Sequence, residues 1–295
     1  MALTTHPIDR VIEHRGVDIP TFLYGTAWKE DETEALTRKA LDSGFLGIDT
    51  ANQRRHYNEA GVGEAVRQVL AEGRLGRSNL FLQSKFTFAS GQDHRIPYDP
   101  LAEYAVQVKQ SFQSTLEHLQ TDTLDSYILH APATALGWSK ADCEVWRAME
   151  TLQKSGAVRL LGVSNVELDQ LKKLIELAEV KPAFVQNRCY AYTCWDHEIR
   201  RICRTHDILY QGFSLLTANA LELTRPEIQA IARRLGCPLT RLVFRFALQS
   251  GMIPLTGTTD PGHMADDLAA YDMELDEAAM ETIEQIAFTK PLSRP

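Results

Sequence analysis

The segment DSYILH at residues 125–130 is followed by KADCEVWRAMETLQK at residues 140–154 and by RLLGVSN at residues 159–165. The two short segments are apolar and β-rich without strict apolar/polar alternation, which is typical of strands covered on both faces. The stretch between them fits a helix. A helix between two such strands implies parallel pairing with a right-handed crossover.

This kind of short run occurs eight times, with longer helical stretches between the runs. The alternation predicts an α/β fold, a (β/α)₈ barrel of the TIM type, with residues 1–295 as a single domain. An open doubly wound sheet is the alternative, but it requires a glycine-rich first turn, and no GxGxxG follows any run. The predicted strands are Thr21–Tyr24, Phe45–Asp49, Leu80–Lys85, Asp125–His130, Arg159–Asn165, Ala183–Asn187, Ile208–Ser214 and Met252–Gly257.

Helices are predicted where apolar residues recur at helical spacing or where capping residues mark an end. From Glu30 to Ser43, for example, apolar residues fall on one face, and Gly44 follows as a suitable C-terminal cap. The predicted helices are Glu30–Ser43, Asp99–Leu119, Lys140–Lys154, Val166–Ala178, Glu198–Thr205, Pro226–Leu235, Leu239–Gln249, Pro261–Ala270 and Asp276–Ile286.

The amino-acid composition argues against two classes of binding partner. Hydrophobic residues make up 44% of the 295 residues, charged residues 24%, and the formal net charge is −8. This balance fits a globular protein and argues against duplex nucleic acid or an anionic membrane as main partner. No apolar run approaches the ~18 residues of a transmembrane helix. The first residues, MALTTHPIDRVIEHRG, lack the apolar core of a secretory signal.

The five cysteines are odd in number and form no CxxC pair. Scattered thiols of this kind predict neither a disulfide framework nor a zinc site. They favour a reducing compartment, and we expect the cytoplasm.

Polar side chains end most of the predicted strands. The C-terminal strand ends of such barrels carry the active site. Six of the eight runs end in polar groups, which are therefore expected to meet at one face of the barrel. These groups are Asp49, Lys85, His130, Ser164 with Asn165, Gln186 with Asn187, and Ser214.

Asp49, Lys85 and His130 come from consecutive strands, and Tyr57 lies in the loop after the first of these strands. A tyrosine has a pKa of ~10, and a neighbouring ammonium lowers such a pKa by ~1–3 units. We expect Lys85 to supply the ammonium, Asp49 to hold it charged and oriented, and His130 to donate a hydrogen bond to a carbonyl oxygen. Such a site would protonate an oxyanion as hydride reached the carbonyl carbon.

Six motifs occur in a fixed order at these strand ends. They are GTAWK (25–29), IDTA (48–51) with YNEAGVGEA (57–65), QSK (83–85), LDSYILH (124–130), GVSN (162–165) and VQN (185–187). In order and position they resemble the motifs of aldo-keto reductases over nearly the whole chain. The resemblance implies a barrel enzyme that uses NADPH, with NADH as a second possibility, to reduce the carbonyl group of a small molecule.

The resemblance also implies roles for the matching residues. Tyr57 would be the general acid, tuned by Lys85 and Asp49, and His130 would orient the carbonyl. The nicotinamide carboxamide would be bound by Ser164, Asn165 and Gln186. Further cofactor contacts are expected from Gly25, Thr26, Asp49, Phe213, Ser214, Leu216, Gly257, Thr258, Thr259 and His263.

The role of Phe213 and the substrate wall have alternatives. The resemblance predicts that Phe213 stacks on the nicotinamide ring, but plain core packing fits the sequence equally well. Trp28 is expected to line the substrate pocket, with an apolar structural role as the alternative. Phe86 and Phe88 open a loop after Lys85 and are expected to add an apolar wall.

The tyrosine departs from the spacing of the family. Aldo-keto reductases usually carry it five positions after the aspartate, where this chain has Arg54, whereas Tyr57 comes eight positions after Asp49. Counted backward from the NE pair, His56 is a second candidate for the acid. We favour Tyr57, because a nearby cation makes a phenol a useful acid but depresses the protonation of an imidazole.

The segment after the eighth strand, where a cofactor phosphate is expected to bind, also departs from the family pattern. NADPH-using relatives typically carry a lysine after the eighth strand and an arginine in the following helix, and PLTGTTDPGHMADDL (254–268) contains neither. His263 stands roughly where the arginine is expected. Hydroxyls and free N–H groups at a helix start suit a phosphate, but Asp260 adds negative charge. The sequence therefore predicts NADPH binding with reduced discrimination against NADH.

The leading function is a nicotinamide-dependent reductase of an aldehyde, a ketone or an imine. The alternative is a cofactor-binding regulatory protein of the same fold with little turnover. A metal-dependent hydrolase or lyase lacks support, since no HxH, HExxH or carboxylate cluster ends the strands.

Overall fold

Residues 8–288 are described by a computed structural model in which eight parallel strands close into a barrel. The last strand of the ring pairs with the first, so the barrel prediction is confirmed and the open sheet is wrong. An antiparallel hairpin precedes the barrel. In chain order the strands are β1 (Val11–His14), β2 (Val17–Pro20), β3 (Leu23–Gly25), β4 (Gly47–Asp49), β5 (Phe81–Phe86), β6 (Leu124–Leu129), β7 (Val158–Ser164), β8 (Phe184–Arg188), β9 (Leu209–Phe213) and β10 (Met252–Thr256).

Helices surround the barrel and bury their apolar faces against it. They are α1 (Thr33–Ser43), α2 (Glu59–Ala71), α3 (Tyr104–Leu119), α4 (Lys140–Lys154), α5 (Leu168–Leu177), α6 (His197–Thr205), α7 (Ala220–Leu223), α8 (Pro226–Leu235), α9 (Leu239–Gln249), α10 (Pro261–Leu268) and α11 (Glu277–Glu284). All nine predicted helices are present, and α4, α8 and α9 begin and end where predicted. The sequence analysis missed α2 and α7. Within residues 8–288, no helix is long and apolar enough to cross a membrane.

The hairpin β1–β2 covers the N-terminal end of the barrel and was also missed. Val17 and Ile19 are buried in the cluster that fills this end. Arg15 donates to the backbone oxygens of Lys181 and Asp207 at 3.0 and 2.6 Å, just before β8 and β9. Because this end is sealed, access to the barrel interior is from the C-terminal strand ends.

Residues 1–7 and 289–295 lie outside the described residues. The beginning of the segment considered for a secretory signal, and the two ends of the predicted 1–295 domain, fall there.

Strand register brings the polar strand ends into neighbouring positions. Asp49 on β4 is opposite Gln83 on β5, and Gln186 on β8 lies between Ser164 on β7 and Gln211 on β9. Side chains alternate between the two faces of a strand, so these positions share the inner face of the barrel.

We expect Ile19→Ala to lower the free energy of unfolding by about 2–5 kcal/mol, because it leaves a cavity in the cluster under the hairpin. Denaturant unfolding measures the change. Asp18→Ala, at the exposed neighbouring position of β2, is the control and should stay within about 0.5 kcal/mol of the wild type. Equal stability of Ile19→Ala and Asp18→Ala would contradict a packing role for the hairpin.

Candidate active site

A cavity of about 610 Å³ opens at the C-terminal ends of the barrel strands. This is the face at which the polar strand ends were expected to meet. The predicted residues that line it are Gly25, Trp28, Asp49, Tyr57, His130, Ser164, Asn165, Gln186, Phe213, Ser214, Leu216, Gly257, Thr258 and His263.

Lys85 and Asp49 form a buried ion pair next to this cavity. Lys85 Nζ lies 2.7 and 2.6 Å from the two carboxylate oxygens of Asp49, and it donates to the backbone oxygen of Thr50 at 2.9 Å. Only 1% of Lys85 and 3% of Asp49 is exposed. Burial lowers the pKa of Lys85, and the charge of Asp49 acts in the opposite direction. The structure therefore contains the partner that keeps a buried lysine charged.

The ring of Tyr57 lies beside this pair. Its centroid is 5.4 Å from Lys85 Nζ and 5.9 Å from the ring centroid of His130, in an edge-to-face arrangement. The loop that carries it is tied down: Tyr57 N donates to the Gln53 backbone oxygen at 3.0 Å, and Gln53 Nε2 donates to the Gly91 oxygen at 2.7 Å. The enlarged loop thus still brings the phenol close to Lys85.

The expected lowering of the Tyr57 pKa is not found. Burial raises the pKa of Tyr57, and the negative charge of Asp49 adds to the increase. The ammonium of Lys85 lies beside the ring, but it does not reverse this increase. A phenol with a raised pKa stays protonated at neutral pH, which is the form that a general acid requires.

His56, the other candidate for the acid, contacts different groups. Its ring packs against Trp28 with centroids 3.8 Å apart and the ring planes tilted by 37°. Trp28 is 69% exposed, so the two rings form the rim of the cavity. Burial, with a contribution from the positive charge of Arg55, lowers the pKa of His56. Of the two candidates, Tyr57 is the one whose ring lies beside Lys85 and His130.

His130 is held by Thr87, whose hydroxyl lies 2.7 Å from Nδ1. Burial lowers the pKa of His130 to about 3, and the positive charge of Lys85 contributes. The imidazole is therefore neutral at pH 7. In the tautomer whose Nδ1 accepts from Thr87, Nε2 carries the proton and can donate it in a hydrogen bond.

Ser164, Asn165 and Gln186 form a polar wall at the ends of β7 and β8. Asn165 has a left-handed backbone, with φ 52°. Its Nδ2 donates to the His130 backbone oxygen at 2.9 Å and to Ser164 Oγ at 3.1 Å. Gln186 Nε2 donates to Asp49 Oδ1 at 2.9 Å. This wall is thus connected to both His130 and the ion pair.

Phe213 and two cations form another part of the wall. Phe213 is half-buried. It packs against the barrel interior, which agrees with the core-packing alternative, and it also lines the cavity, as a residue that contacts the nicotinamide ring must. The guanidinium of Arg188 lies 5.6 Å from the centroid of its ring. Lys29 donates to the Gly257 backbone oxygen, and burial lowers the pKa of Lys29. Both cations line the cavity.

The segment after β10 contains more acidic than basic residues. Asp260 caps α10 by accepting from His263 N at 3.0 Å. Asp267 is buried and accepts from the Thr256 hydroxyl at 2.7 Å. Burial raises the pKa of Asp267 to about 6, so most of this carboxyl is ionised at pH 7. Neither β10 nor α10 contains a lysine or an arginine.

Phe86 and Phe88 do not line the cavity, so the apolar wall expected from them is wrong. Phe86 stacks on Tyr98 with centroids 5.5 Å apart, and Phe88 packs edge-to-face on Tyr104 at 5.7 Å. The reason is strand alternation. Lys85 points into the barrel, so the next side chain of β5 points outward to the helices.

Two predicted cofactor residues also lie off the wall. Thr26 is fully buried, and its hydroxyl donates to the Asp49 backbone oxygen at 3.0 Å, so it supports the strand end instead of facing the cavity. Thr259 is exposed beside Asp260 and is not among the lining residues.

Three charged residues of the wall were not predicted from the sequence, namely Lys29, Arg188 and Asp267. The sequence contained a signal for two of these residues. Lys29 ends the GTAWK motif, and Arg188 directly follows the polar end of β8. Nothing local marks Asp267, because it reaches the cavity from inside a helix. In residues 8–288, no group of three or more His, Cys, Asp or Glu residues could hold a metal ion.

The chain is similar to known oxidoreductases over most of its length. It matches the sequence model of the Aldo/keto reductase family over residues 21–287. The uncharacterized oxidoreductase YtbE of Bacillus subtilis is 30% identical over 286 residues, which cover 96% of this chain and 95% of that protein. The glyoxal reductase of Bacillus subtilis is 29% identical over 280 residues, covering 94% of this chain and 92% of that protein.

A solved structure has the same architecture. The aldo/keto reductase from Brucella melitensis superposes with a TM-score of 0.79 at 26% identity, and the match covers 94% of this chain and 98% of that one. The family match, the similar oxidoreductases and the closed barrel agree with one another. The chain therefore belongs to the aldo/keto reductase family and is an NAD(P)H-dependent oxidoreductase.

Proposed function

We propose that this protein reduces the carbonyl group of a small aldehyde or ketone, or the related imine, with hydride from NADPH and a proton from Tyr57. One observation carries the proposal: the Tyr57 ring lies 5.4 Å from Lys85 Nζ and 5.9 Å from the His130 ring. An acid, a cation and a neutral hydrogen-bond donor thus surround one corner of the cavity. A carbonyl oxygen that gains negative charge needs this set of groups.

In the proposed reaction, Nε2 of His130 donates a hydrogen bond to the substrate oxygen and orients the carbonyl. NADPH, when bound, supplies the hydride that forms the new C–H bond. As the C=O π bond breaks, the oxygen takes the proton of the Tyr57 hydroxyl. The ammonium of Lys85 stabilises the phenolate that remains, and each pKa unit of this stabilisation is worth about 1.4 kcal/mol.

The cavity wall fits the parts of a nicotinamide nucleotide. Ser164 and Gln186 present polar atoms suited to a carboxamide, and Phe213 presents an aromatic face suited to the ring. Lys29 and Arg188 supply positive charge for a diphosphate in a chain whose net charge is −8. The hydroxyls and N–H groups at the start of α10 suit the 2′-phosphate.

The proposal also covers the class of substrate, a small carbonyl compound, and the location of the protein in a reducing compartment. Trp28 and His56 form an aromatic rim beside Tyr57, which suits the apolar part of a substrate. The similar glyoxal reductase supports a substrate of the same chemical class. The five cysteines are free thiols, which supports the cytoplasm as the location.

We expect Tyr57→Phe to lower kcat for NADPH-dependent reduction of an activated aldehyde at least ~100-fold, because the donated proton is lost. The absorbance of NADPH measures turnover, and nucleotide fluorescence measures binding, which should be retained. Tyr192→Phe, at an exposed tyrosine away from the cavity wall, is the matched control. A loss of turnover in His56→Gln but not in Tyr57→Phe would make His56 the acid. NADPH binding without turnover in the wild type would favour the regulatory alternative.

The pH dependence follows from His130 and Tyr57. Because the pKa of His130 is about 3 and that of Tyr57 is raised, neither group changes charge between roughly pH 5 and pH 8. We expect kcat for aldehyde reduction, at saturating NADPH and substrate, to be flat over this range, because Asp267, whose pKa of about 6 falls within it, takes no part in the proposed proton transfer. A decrease toward acid with a midpoint near pH 6.5, absent in His130→Gln, would show that His130 titrates as an unperturbed histidine.

The absence of basic residues in β10 and α10 predicts a weak cofactor preference. The dissociation constant of NADPH should be less than ~100-fold below that of NADH, a difference of about 2.7 kcal/mol. His263→Arg should increase the preference for NADPH by ~10-fold, since a guanidinium adds a charge-assisted hydrogen bond to the 2′-phosphate. Fluorescence titration of both nucleotides measures these values. A wild-type preference above ~100-fold would contradict relaxed discrimination.

A further inference from the structure

We propose that Gln83 and Gln211 are positioning residues, which fix the amide orientation of Gln186 and thereby make the site select a primary carboxamide on the cofactor ring. The inference rests on the proposed function, because it concerns how a bound nicotinamide is recognised. The barrel interior contains an unusual pair of polar side chains. Two glutamines with no solvent exposure lie where a barrel normally holds apolar side chains.

The two buried amides pair with each other. Gln83 Nε2 donates to Gln211 Oε1 at 2.8 Å, and Gln211 Nε2 donates back to Gln83 Oε1 at 3.0 Å. Burying an amide is costly unless its polar atoms are hydrogen-bonded, and this reciprocal pair meets that condition. The pair therefore holds both amides in one orientation.

Asp49 determines which orientation that is. Its Oδ1 accepts from Gln83 Nε2 at 2.7 Å and from Gln186 Nε2 at 2.9 Å. A carboxylate in an ion pair with Lys85 only accepts hydrogen bonds, so both glutamines must turn their N–H groups toward it. With Gln83 fixed in this way, Gln211 must present its Oε1 to Gln83.

The orientation of Gln211 in turn fixes the orientation of the Gln186 amide. Besides Asp49, its Nε2 donates to Gln211 Oε1 at 2.9 Å. Both hydrogens of the Gln186 amide are thus used inside the barrel, and Oε1 is left as the polar atom that Gln186 offers to the cavity. A flipped Gln186 would set its oxygen against two acceptors, Asp49 Oδ1 and Gln211 Oε1.

The neighbouring strand offers the complementary group. Ser164 is the register partner of Gln186, and its Oγ accepts from Asn165 Nδ2 at 3.1 Å. Its hydroxyl hydrogen is therefore available as a donor. An acceptor beside a donor matches a primary carboxamide, with the ligand N–H on Gln186 and the ligand C=O on Ser164. An acetyl group has the same size but lacks the N–H.

The test compares two reduced cofactor analogues with NADPH. The thionicotinamide analogue of NADPH keeps the N–H₂ group, and the 3-acetylpyridine analogue lacks it. We expect the wild type to bind the acetylpyridine analogue ~10-fold more weakly than NADPH, from which it differs only by a methyl group in place of N–H₂, the effect of one hydrogen bond and an orphaned acceptor. The thionicotinamide analogue, which changes the carbonyl oxygen instead, reports on the Ser164 side. In Gln211→Met the acetylpyridine-to-NADPH ratio of dissociation constants should fall to within ~3-fold of unity, because Gln186 loses one of its two acceptors and Asp49 Oδ1 alone holds its amide less firmly.

Gln170→Met is the matched control, since Gln170 in α5 is a buried glutamine that donates to the backbone oxygens of Thr134 and Gly137 and does not line the cavity. It should keep the wild-type ratio. Gln83→Met is the second variant, in case Gln211→Met does not fold, and it should lower the ratio in the same direction. A folded variant of either kind with the wild-type ratio overturns the positioning role. A wild-type ratio near unity overturns it without any variant.

Turnover of the wild type with NADPH separates this inference from the proposed function. Aldehyde reduction with an unchanged ratio in the variants would reject only the positioning role of Gln83 and Gln211. Failure of the wild type to bind any of the three nucleotides would reject both the positioning role and the proposed function.

Discussion

A lysine ammonium and an aspartate carboxylate are in contact inside the barrel, and the candidate site is arranged around them. An isolated charge in such a place costs several kcal/mol. The cost is offset because Asp49 accepts from Lys85, Gln83 and Gln186, while Lys85 also donates to a backbone oxygen. These groups come from three strands that must keep their register, since a slip of one residue would turn Lys85 outward. The ion pair therefore links the chemistry of the site to the closure of the sheet.

One oxygen atom, Asp49 Oδ1, connects the acid–base side of the cavity to its polar wall. It accepts from Lys85, which lies beside Tyr57, and from Gln186, which lines the wall. Hydrogen bonds in such a chain polarise one another. A ligand that donates to Gln186 Oε1 would therefore strengthen the bond from Gln186 to Asp49. Under the proposed mechanism, binding at the carboxamide end is communicated to the ion pair that stabilises the phenolate.

Local sequence patterns predict the repeated β/α units of this fold well, but they predict the elements that depart from the repeat poorly. The barrel strands are recognisable because each is a short buried run followed by a helix. The strand β1 was missed because Val11 and Ile12 stand at exposed or half-exposed positions and its partner β2 is only four residues long. The helix α2 begins directly after an enlarged loop, and glycines at 61 and 63 weaken its pattern.

Strand ends predicted the candidate site for the same reason that they predicted the barrel, since the C-terminal ends of parallel strands meet at one face. Asn187 is an exception, because its side chain bonds the backbone of Val166 and does not line the cavity. Phe86 was misplaced because its role depends on alternation along β5, which follows from the inward position of Lys85. The pKa of Tyr57 could not be read from the presence of a lysine, because burial dominates and the negative charge of Asp49 adds to the increase. The raised pKa bears on the protonation state from which the proposed reaction starts. Reduction consumes the proton of a neutral phenol, and burial together with the charge of Asp49 keeps Tyr57 in this form at neutral pH.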